Sequence, residues 1–320
     1  MNFIQTGYKG RSDWWMYIVM FFIVVFGSVL GQIPITLKAF FQVGGDFQKF
    51  TESGANSFAD IGINSNLYLF LILLSFVVPL IIFYFVVKAM HKKKFTWTVT
   101  SREKIDWKRF FFGVILWGIV TVGVIGYDII TSPENYVWNF KPVPFFTLCL
   151  VAILFIPLQT SLEEFLFRGY YMQALGMWAK NKWFPLIVMS LVFGLLHGAN
   201  PEIEKLGYIA LVFYIGTGLF FGIVTLMDEG TELAMGMHAI NNILAALFVT
   251  TDWTVFQTDA LYVDTSDPSV SFETFMPVFI LYPIVFFILS KKYGWTNWKD
   301  KLFGKVHKPI NLDVLDELGS

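Results

Sequence analysis

Long runs of apolar residues divide the chain into eight stretches separated by shorter polar segments. The runs lie near residues 14–36, 67–87, 110–130, 144–177, 184–200, 207–227, 233–250 and 274–290. An α-helix needs about 20 predominantly apolar residues to cross the hydrocarbon core of a bilayer. The pattern therefore predicts an all-α polytopic membrane protein with about eight transmembrane helices. The fourth run is too long for one perpendicular crossing and carries Glu163, Glu164 and Arg168, and the fifth run is short.

The distribution of Lys and Arg orients these helices. Basic residues cluster in the N-terminal segment, the connection 88–109, the turn 180–182 and the tail 291–308, and eight crossings put all four on one side. Cytoplasmic connections carry an excess of Lys and Arg, so we expect both termini in the cytoplasm. The connection 251–273, on the other side, is acidic and has no Lys or Arg. The acidic connection 228–232 departs from the trend, although acidic residues carry little weight in this rule.

The predicted helices group into three parts of the chain. Residues 1–143 contain the first three helices and their loops and carry no recognisable motif. Residues 144–250 contain helices four to seven, with polar motifs inside the apolar runs. Residues 251–320 contain the last helix and a basic tail that we expect in the cytoplasm.

Composition excludes several other classes of protein. The 320 residues are 56% hydrophobic and 15% charged, against about 25% charged in ordinary soluble proteins, which excludes a soluble or disordered chain. The net charge of −1 provides no basic field for nucleic acid, and the single cysteine, Cys149, cannot form an internal disulfide. The compact chain, without an ER-retention tail, favours a bacterial plasma membrane.

The fourth run contains three charged residues, and ionisable groups inside a membrane are costly enough to indicate function. Glu164 and Arg168 are four residues apart, so they share one helix face in the order that favours an ion pair. Glu163 is rotated by about 100° from Glu164, lacks that partner and can point into a polar intramembrane cavity. The alternative is a helix end at which all three charges are solvated.

Two further apolar runs carry a histidine. Phe193 and His197 share one helix face in the fifth run, and His238 and Asn242 share one face in the seventh. Taken alone, either pair is compatible with packing or with hydrogen bonds between helices. Neighbouring Asn241 faces about 100° away from Asn242, so we expect it to tolerate substitution.

The chain has four histidines. His91 and His307 lie in basic segments that we expect to be solvated, whereas the other two lie inside apolar runs. Two histidines, an amide and a Glu-Glu pair thus occur in three apolar runs. Because carboxylate, imidazole and amide groups are the parts that activate water and bind an oxyanion, their co-occurrence favours catalysis over packing.

Three short motifs occur in order along the chain, each on its own apolar run: Glu163-Glu164-x-x-x-Arg168, Phe193-x-x-x-His197 and His238-x-x-x-Asn242. They resemble the motifs of the CPBP family of intramembrane proteases. This family contains the CAAX proteases and bacteriocin-processing proteins and is also called the Abi family or the type II CAAX prenyl endopeptidases. The resemblance covers residues 163 to 242.

The resemblance implies an eight-helix membrane fold with a cavity open to the cytosol, and hydrolysis of peptide bonds. By position in the motifs, Glu163 is the general base that activates water, assisted by His197. His238 and Asn242 form the oxyanion hole.

The remaining motif residues have supporting roles by the same resemblance. Glu164 and Arg168 hold the motif helix in place, and Phe193 accompanies His197. The substrate is a peptide or membrane protein, with prenylated C-terminal peptides and leader or bacteriocin-like peptides as the known substrate classes.

Three alternatives stay open. The family has been described both as zinc-dependent and as glutamate-dependent, and Glu163, His197 and His238 are possible zinc ligands. The chain has no His-Glu-x-x-His motif and these candidates are spread over three helices, so we expect a metal-free mechanism without a cofactor. The second alternative is a proteolytically silent immunity factor or scaffold. The third is a transporter with a proton relay, against which the chain shows no internal repeat.

Overall fold

The structure is a computed structural model and describes residues 1–54, 58, 61–254, 256–270 and 272–309. Its α-helices are α1 (Trp14–Gln42), α2 (Phe47–Gly54), α3 (Ser65–Met90), α4 (Thr96–Val99), α5 (Trp107–Thr131), α6 (Pro142–Glu164), α7 (Met172–Ala179), α8 (Trp183–Leu196), α9 (Pro201–Leu206), α10 (Leu211–Asp228), α11 (Glu232–Phe248), α12 (Phe272–Met276), α13 (Tyr282–Tyr293) and α14 (Trp298–Phe303). Its strands are β1 (Tyr136–Trp138), β2 (Val249–Thr250) and β3 (Tyr262–Asp264).

The described residues contain six helical stretches that are long and apolar enough to cross a membrane. These stretches are Trp14–Gln42, Ser65–Met90, Trp107–Thr131, Pro142–Ala179, Tyr208–Asp228 and Thr274–Tyr293. They confirm the predicted all-α polytopic membrane fold. The other two predicted crossings form the shorter apolar helix Trp183–Ala199 and the 17-residue helix α11, so the count of eight stays a prediction.

The predicted basic segments meet at one end of the helix bundle, which we call the basic face. It consists of residues 1–13, 91–106, 180–182, 229–231 and 294–309. The Thr6 hydroxyl donates to the carbonyl of Trp97 at 2.8 Å, and the Lys182 ammonium donates to the carbonyl of Asp300 at 2.9 Å. Together with a hydrogen bond from the N-terminal segment to the tail, these contacts agree with the grouping of all four basic segments on one side.

The acidic connection between α10 and α11 lies on this same face. Its three carboxylates each meet a cation from another segment, in the pairs Asp228–Arg102, Asp228–Arg109, Glu232–Arg102 and Glu229–Lys301. The departure from the charge trend therefore has a physical reason, because this turn neutralises the basic segments that surround it.

The opposite end of the bundle, which we call the cap face, consists of residues 132–141, 249–254 and 256–270. There β3 pairs with β1 in antiparallel and with β2 in parallel orientation. The side-chain amide of Asn66, at the start of α3, donates to the carbonyl of Pro144 at 2.9 Å and to Asp259 at 3.2 Å. The starts of α3 and α6 and the loop after α11 are thereby joined at this end.

Two glycines let α5 and α11 approach closely. A Cβ atom on Gly236 would lie 2.1 Å from the carbonyl oxygen of Phe110, and one on Gly113 would lie 2.6 Å from that of Leu233. Only glycine is compatible with these separations. The close contact holds α11, which carries the third motif, against α5.

The helical stretch that carries Glu163, Glu164 and Arg168, which we call the motif helix, changes its geometry just after Glu164. A π-helical segment, Phe165–Tyr171, joins α6 to α7, and the whole stretch ends at Lys180, whose φ of 54° is left-handed. Single π turns inside helices are frequent at functional sites. The long fourth run is thus one continuous helical stretch in which the turns after Glu164 are π-helical instead of α-helical.

His91 contradicts the expectation of a solvated histidine. Its side chain is fully buried, Nδ1 donates to the carbonyl of Arg11 at 2.7 Å, and Nε2 accepts from the hydroxyl of Tyr170 at 2.6 Å. Burial lowers its pKa from 6.5 to about 4. The prediction was wrong because the local sequence is basic, whereas the residue that buries His91 comes from the distant motif helix. His307 is exposed as expected, and residues 310–320 of the predicted tail lie outside the described residues.

Candidate active site

All four predicted catalytic residues border one cavity of about 520 Å³. The cavity lies between α3, α5, α6, α8, α10 and α11. Glu163 enters it from α6, His197 from the end of α8, and His238 and Asn242 from α11; Phe193 also lies on its wall. The structure therefore brings together three motifs that are far apart in the sequence.

Glu164 and Arg168 form a buried ion pair beside the cavity. Arg168 Nη1 lies 3.0 Å from Glu164 Oε1, and the two side chains are 1% and 0% exposed. The guanidinium also lies over the ring of Phe193, 4.1 Å from its centroid. The predicted pair is confirmed, and the alternative of a solvated helix end is wrong. Removing one partner of such a pair would leave an uncompensated buried charge.

His238 connects this pair to Glu163. Its Nδ1 lies 2.8 Å from Glu164 Oε1, and its Nε2 lies 3.6 Å from Glu163 Oε2. The ring stacks on Phe221, with centroids 5.2 Å apart. A carboxylate paired with Arg168 accepts hydrogen bonds only, so Nδ1 is the protonated nitrogen. Neutral His238 therefore presents a bare Nε2 toward Glu163, and only the imidazolium form can donate a hydrogen bond there.

Glu163 has a different environment from its neighbour. Its side chain is 13% exposed and has no Lys or Arg partner among the described residues. Oε1 accepts from the amide of Gln159 at 2.6 Å, while the buried Oε2 has no hydrogen-bond partner in the described part of the chain. The predicted contrast between the two carboxylates is present. As expected, Glu163 does not share the Arg168 partner; the amide of Gln159, one helical turn earlier, contacts it instead.

A chain of amides continues from Gln159 along the cavity wall. Asn242 Nδ2 donates to Gln159 Oε1 at 3.3 Å, and Asn241 Nδ2 donates to Asn242 Oδ1 at 3.1 Å. Asn241 Oδ1 accepts from the indole of Trp117 at 3.0 Å. Asn241 also borders the cavity, although its side chain is rotated by about 100° around the helix from that of Asn242. Sequence reasoning missed Gln159 and Trp117, although an amide one turn before Glu163 was a usable signal.

His197 borders the cavity from the end of α8. Its Nδ1 donates to the carbonyl of Phe193 at 2.7 Å, which leaves Nε2 as an acceptor. The ring stacks on Tyr214 at 4.4 Å. The Tyr214 hydroxyl donates to Glu202 Oε1 at 2.5 Å, and Glu202 also borders the cavity. Neither Tyr214 nor Glu202 carried a sequence signal, since their relation to His197 depends on how two helices pack.

The residues considered as zinc ligands do not have the geometry of a metal site. In the described ranges, no group of three or more His, Cys, Asp or Glu side chains is arranged to hold a metal ion. Glu163 Oε2 lies 3.6 Å from His238 Nε2, and Nε2 of both histidines stays available because Nδ1 binds Glu164 or a backbone carbonyl, but the described residues do not bring all three side chains together around one point. The set Glu163, His197 and His238 therefore does not fit zinc. The absence of a cofactor stays a prediction.

Comparison with known proteins tests the family suggested by the motifs. Residues 142–244 match the family described as Type II CAAX prenyl endopeptidase Rce1-like. We call residues 142–244 the Rce1-like segment because of this similarity. The segment contains all three motifs, so the recognition made from them is confirmed. The Rce1-like segment supports a CAAX-type endopeptidase of the membrane.

A curated relative covers more of the chain than the Rce1-like segment does. The protein of Bacillus subtilis (strain 168) described as "Uncharacterized protein YyaK" is 29% identical over 255 residues, which are 78% of this chain and 83% of that protein. No solved structure matches the chain. The similarity to the Bacillus protein therefore extends beyond the three motifs into the flanking helices.

Proposed function

We propose that this chain is an intramembrane endopeptidase that hydrolyses peptide bonds with water activated by Glu163, without a metal. One observation carries the proposal: Glu163, His197, His238 and Asn242, from three helical elements, border a single, largely apolar cavity within the helix bundle. Ionisable groups at this depth indicate function, and the Rce1-like segment indicates proteolysis.

We assign water activation to two acceptor atoms that face the cavity, Glu163 Oε2 and His197 Nε2. Glu163 Oε2 has no hydrogen-bond partner among the described residues, and His197 presents Nε2 because Nδ1 is occupied by the carbonyl of Phe193. A water that contacts both can pass a proton to Glu163 and attack the substrate carbonyl carbon. Glu163 then returns this proton to the leaving amine, as general acid–base catalysis requires.

Stabilisation of the oxyanion falls to His238 and Asn242. Because Nδ1 of His238 is bound to Glu164, His238 can donate to the oxyanion only from Nε2, and only when that nitrogen carries a proton as well. Asn242 has two amide hydrogens, and one of them is engaged by Gln159. Donors held in place before the reaction stabilise developing charge in the transition state more than they stabilise the substrate.

The proposal extends to setting and substrate. We place the chain in a bacterial plasma membrane, with both termini in the cytoplasm and the lipid bilayer around its helices. The substrate is a peptide or a segment of a membrane protein. Prenylated C-terminal peptides and leader-type peptides are the starting candidates.

The test is cleavage by purified full-length protein in detergent, assayed on a panel of such peptides. Glu163→Gln should lower turnover by about 10²- to 10⁴-fold, the contribution typical of a general base. Its thermal midpoint should match that of the wild type, because glutamine retains an acceptor for Gln159. Glu103→Gln, an exposed carboxylate on the basic face, serves as the matched control.

Three outcomes would contradict the proposal. Wild-type turnover in Glu163→Gln would remove the general base. Inactivation by a chelator that added zinc reverses would replace the metal-free mechanism with the zinc-dependent one. No cleavage of any peptide by the wild type would favour the proteolytically silent alternative.

A further inference from the structure

The cavity and the basic face occupy different ends of the molecule. No residue of the basic-face segments borders the cavity, whereas Thr251 and Thr254 of the cap face do. Asn200 and Glu202, in the connection between α8 and α10, also border it. The start of α8 and the end of α10 lie at the basic face, so the connection between these helices lies at the opposite end. The cavity thus extends from Glu163 toward the cap face.

Packed side chains separate the cavity from the basic face. The motif helix runs from the cap face toward the basic face, so the residues after Glu163 lie between the cavity and that face. Glu164, Arg168 and Tyr170 are at most 1% exposed, and the hydroxyl of Tyr170 is bonded to buried His91. We call these buried side chains the plug. Water and substrate therefore have no route to Glu163 through the plug.

Two earlier expectations now conflict. The resemblance implied a cavity open to the cytosol, and the Lys and Arg distribution placed the basic face in the cytoplasm. The structure puts these features at opposite ends, so both cannot hold. Eighteen of the 23 Lys and Arg residues lie in the segments that form the basic face or in the helix turns next to it. Because this charge asymmetry belongs to the chain itself, it decides the orientation.

We propose that the cavity receives its substrate from the extracytoplasmic side of the membrane. The proposal rests on the proposed peptidase function for its meaning, but its geometry does not depend on catalysis. The scissile bonds then lie in outward-facing segments of membrane or exported proteins. Among the starting candidates, this orientation favours leader-type peptides and exported segments over prenylated proteins of the cytosol.

The charges around the cavity agree with cleavage inside a polypeptide rather than next to a free C-terminus. Its described lining includes two carboxylates, Glu163 and Glu202, and no Lys or Arg. A terminal carboxylate bound near the scissile bond would meet no Lys or Arg and would lie near two other carboxylates. An internal segment of a polypeptide carries no such group.

Accessibility of single cysteines in intact cells tests the orientation directly. In a Cys149→Ala background, one cysteine is placed on the cavity wall (Ala245→Cys), one on the cap face (Ser269→Cys) and one on the basic face (Glu103→Cys). All three positions are exposed, and Ala245 borders the cavity. The probe is a small, permanently cationic methanethiosulfonate that does not cross membranes and whose charge suits a cavity with two carboxylates.

We expect the probe to modify Ala245→Cys and Ser269→Cys from outside, and Glu103→Cys only after the membrane is permeabilised. Modification of Glu103→Cys from outside would overturn the orientation. Protection of Ala245→Cys in intact cells, while Ser269→Cys reacts, would overturn outward access. Val249→Cys, also on the cavity wall, replaces Ala245→Cys if that variant does not accumulate.

This result is independent of the peptidase assay. The same labelling should occur in Glu163→Gln, because modification needs no catalysis. Outward labelling combined with full turnover in Glu163→Gln would reject the proposed function and keep the orientation. Inward labelling combined with loss of turnover in Glu163→Gln would do the reverse.

Discussion

Two groups of carboxylates, one on the basic face and one at the cavity, have opposite kinds of partner. On the basic face, Asp228 and Glu232 have side chains 1% and 0% exposed and are bound by Arg102. At the cavity, Glu163 and Glu202 have no Lys or Arg partner in the described part of the chain. They are held instead by an amide and a phenol.

The presence or absence of a cationic partner distinguishes carboxylates with a structural role from carboxylates that are available for catalysis. A buried carboxylate that is paired with a cation stabilises the arrangement it belongs to, as long as both partners remain. A buried oxygen without a hydrogen bond costs about 1–3 kcal/mol. Glu163 and Glu202 each have one such oxygen among the described residues, as does Glu164 in its pair with Arg168, whereas Asp228 and Glu232 on the basic face have none. A cost of this kind is expected at functional sites. The same residue type therefore holds the basic face together and remains reactive at the cavity.

The largest effect should come from breaking the buried pair beside the cavity. Arg168→Ala leaves Glu164 as an uncompensated buried charge, which costs about 3–5 kcal/mol of folding free energy. The thermal midpoint in detergent should fall steeply. Arg11→Ala is the matched control, because Arg11 and Asp13 form an exposed pair with side chains 51% and 48% accessible, worth about 0–1 kcal/mol. Equal midpoints for the two variants would contradict the structural role of Arg168.

The next effect concerns catalysis without a change in stability. Asn242→Ala should lower turnover by about 10²- to 10³-fold, as loss of one oxyanion donor does in other hydrolases. The KM should change little, because the donor acts on charge that develops in the transition state. Asn241→Ala should have a smaller effect, since Asn241 acts through Asn242. An unchanged turnover in Asn242→Ala would remove it from the oxyanion hole.

A pH effect should arise on the basic side of the plug. Burial lowers the pKa of His91 to about 4, so the unfolded chain binds a proton between about pH 6.5 and 4 that the folded chain does not. The contribution of His91 to stability is complete above pH 6.5 and decreases as the pH falls toward 4. In His91→Gln, the thermal midpoint should change less between pH 7 and pH 5. His307→Gln, at an exposed histidine, should keep the wild-type dependence; an unaltered dependence in His91→Gln would contradict the assignment.

The smallest effect should come from the phenol that holds Glu202. Tyr214→Phe keeps the ring stacked on His197 but removes the hydroxyl that binds Glu202, a change worth about 1 kcal/mol. We expect a decrease in turnover of about fivefold, which is that energy expressed as a rate. Tyr208→Phe is the control, because Tyr208 is 79% exposed. Equal turnover in the two variants would show that the bond between Tyr214 and Glu202 does not support His197.

What could be predicted from the sequence was local in the chain. The apolar runs predicted the helices, and the spacing of Glu164 and Arg168 predicted their ion pair, because both depend on the period of one helix. The hydrogen bond from Gln159 to Glu163 has the same local spacing and was overlooked. The family was recognisable because its motifs are short and occur in a fixed order.

What could not be predicted depends on packing between distant segments. His91 is buried by Tyr170, which lies 79 residues away, and no local pattern indicates that contact. Asn241 borders the cavity although it faces away from Asn242, because helices on several sides enclose the space. The end of the bundle toward which the cavity extends depends on how far along its helix each motif residue lies. The apolar runs do not specify that depth.

The acidic turn between α10 and α11 also imposes an order on biosynthesis. Glu229 accepts from the backbone N–H of Phe3 and pairs with Lys301, residues that lie 226 positions before it and 72 positions after it. Arg102 and Arg109 have left the ribosome when the turn is made, but Lys301 has not. The turn can therefore pair with Arg102 and Arg109 before the tail is made, and it meets Lys301 only after α13 has been synthesised. The segment around α14 is thus the last part of the basic face to dock, and it joins the two ends of the chain.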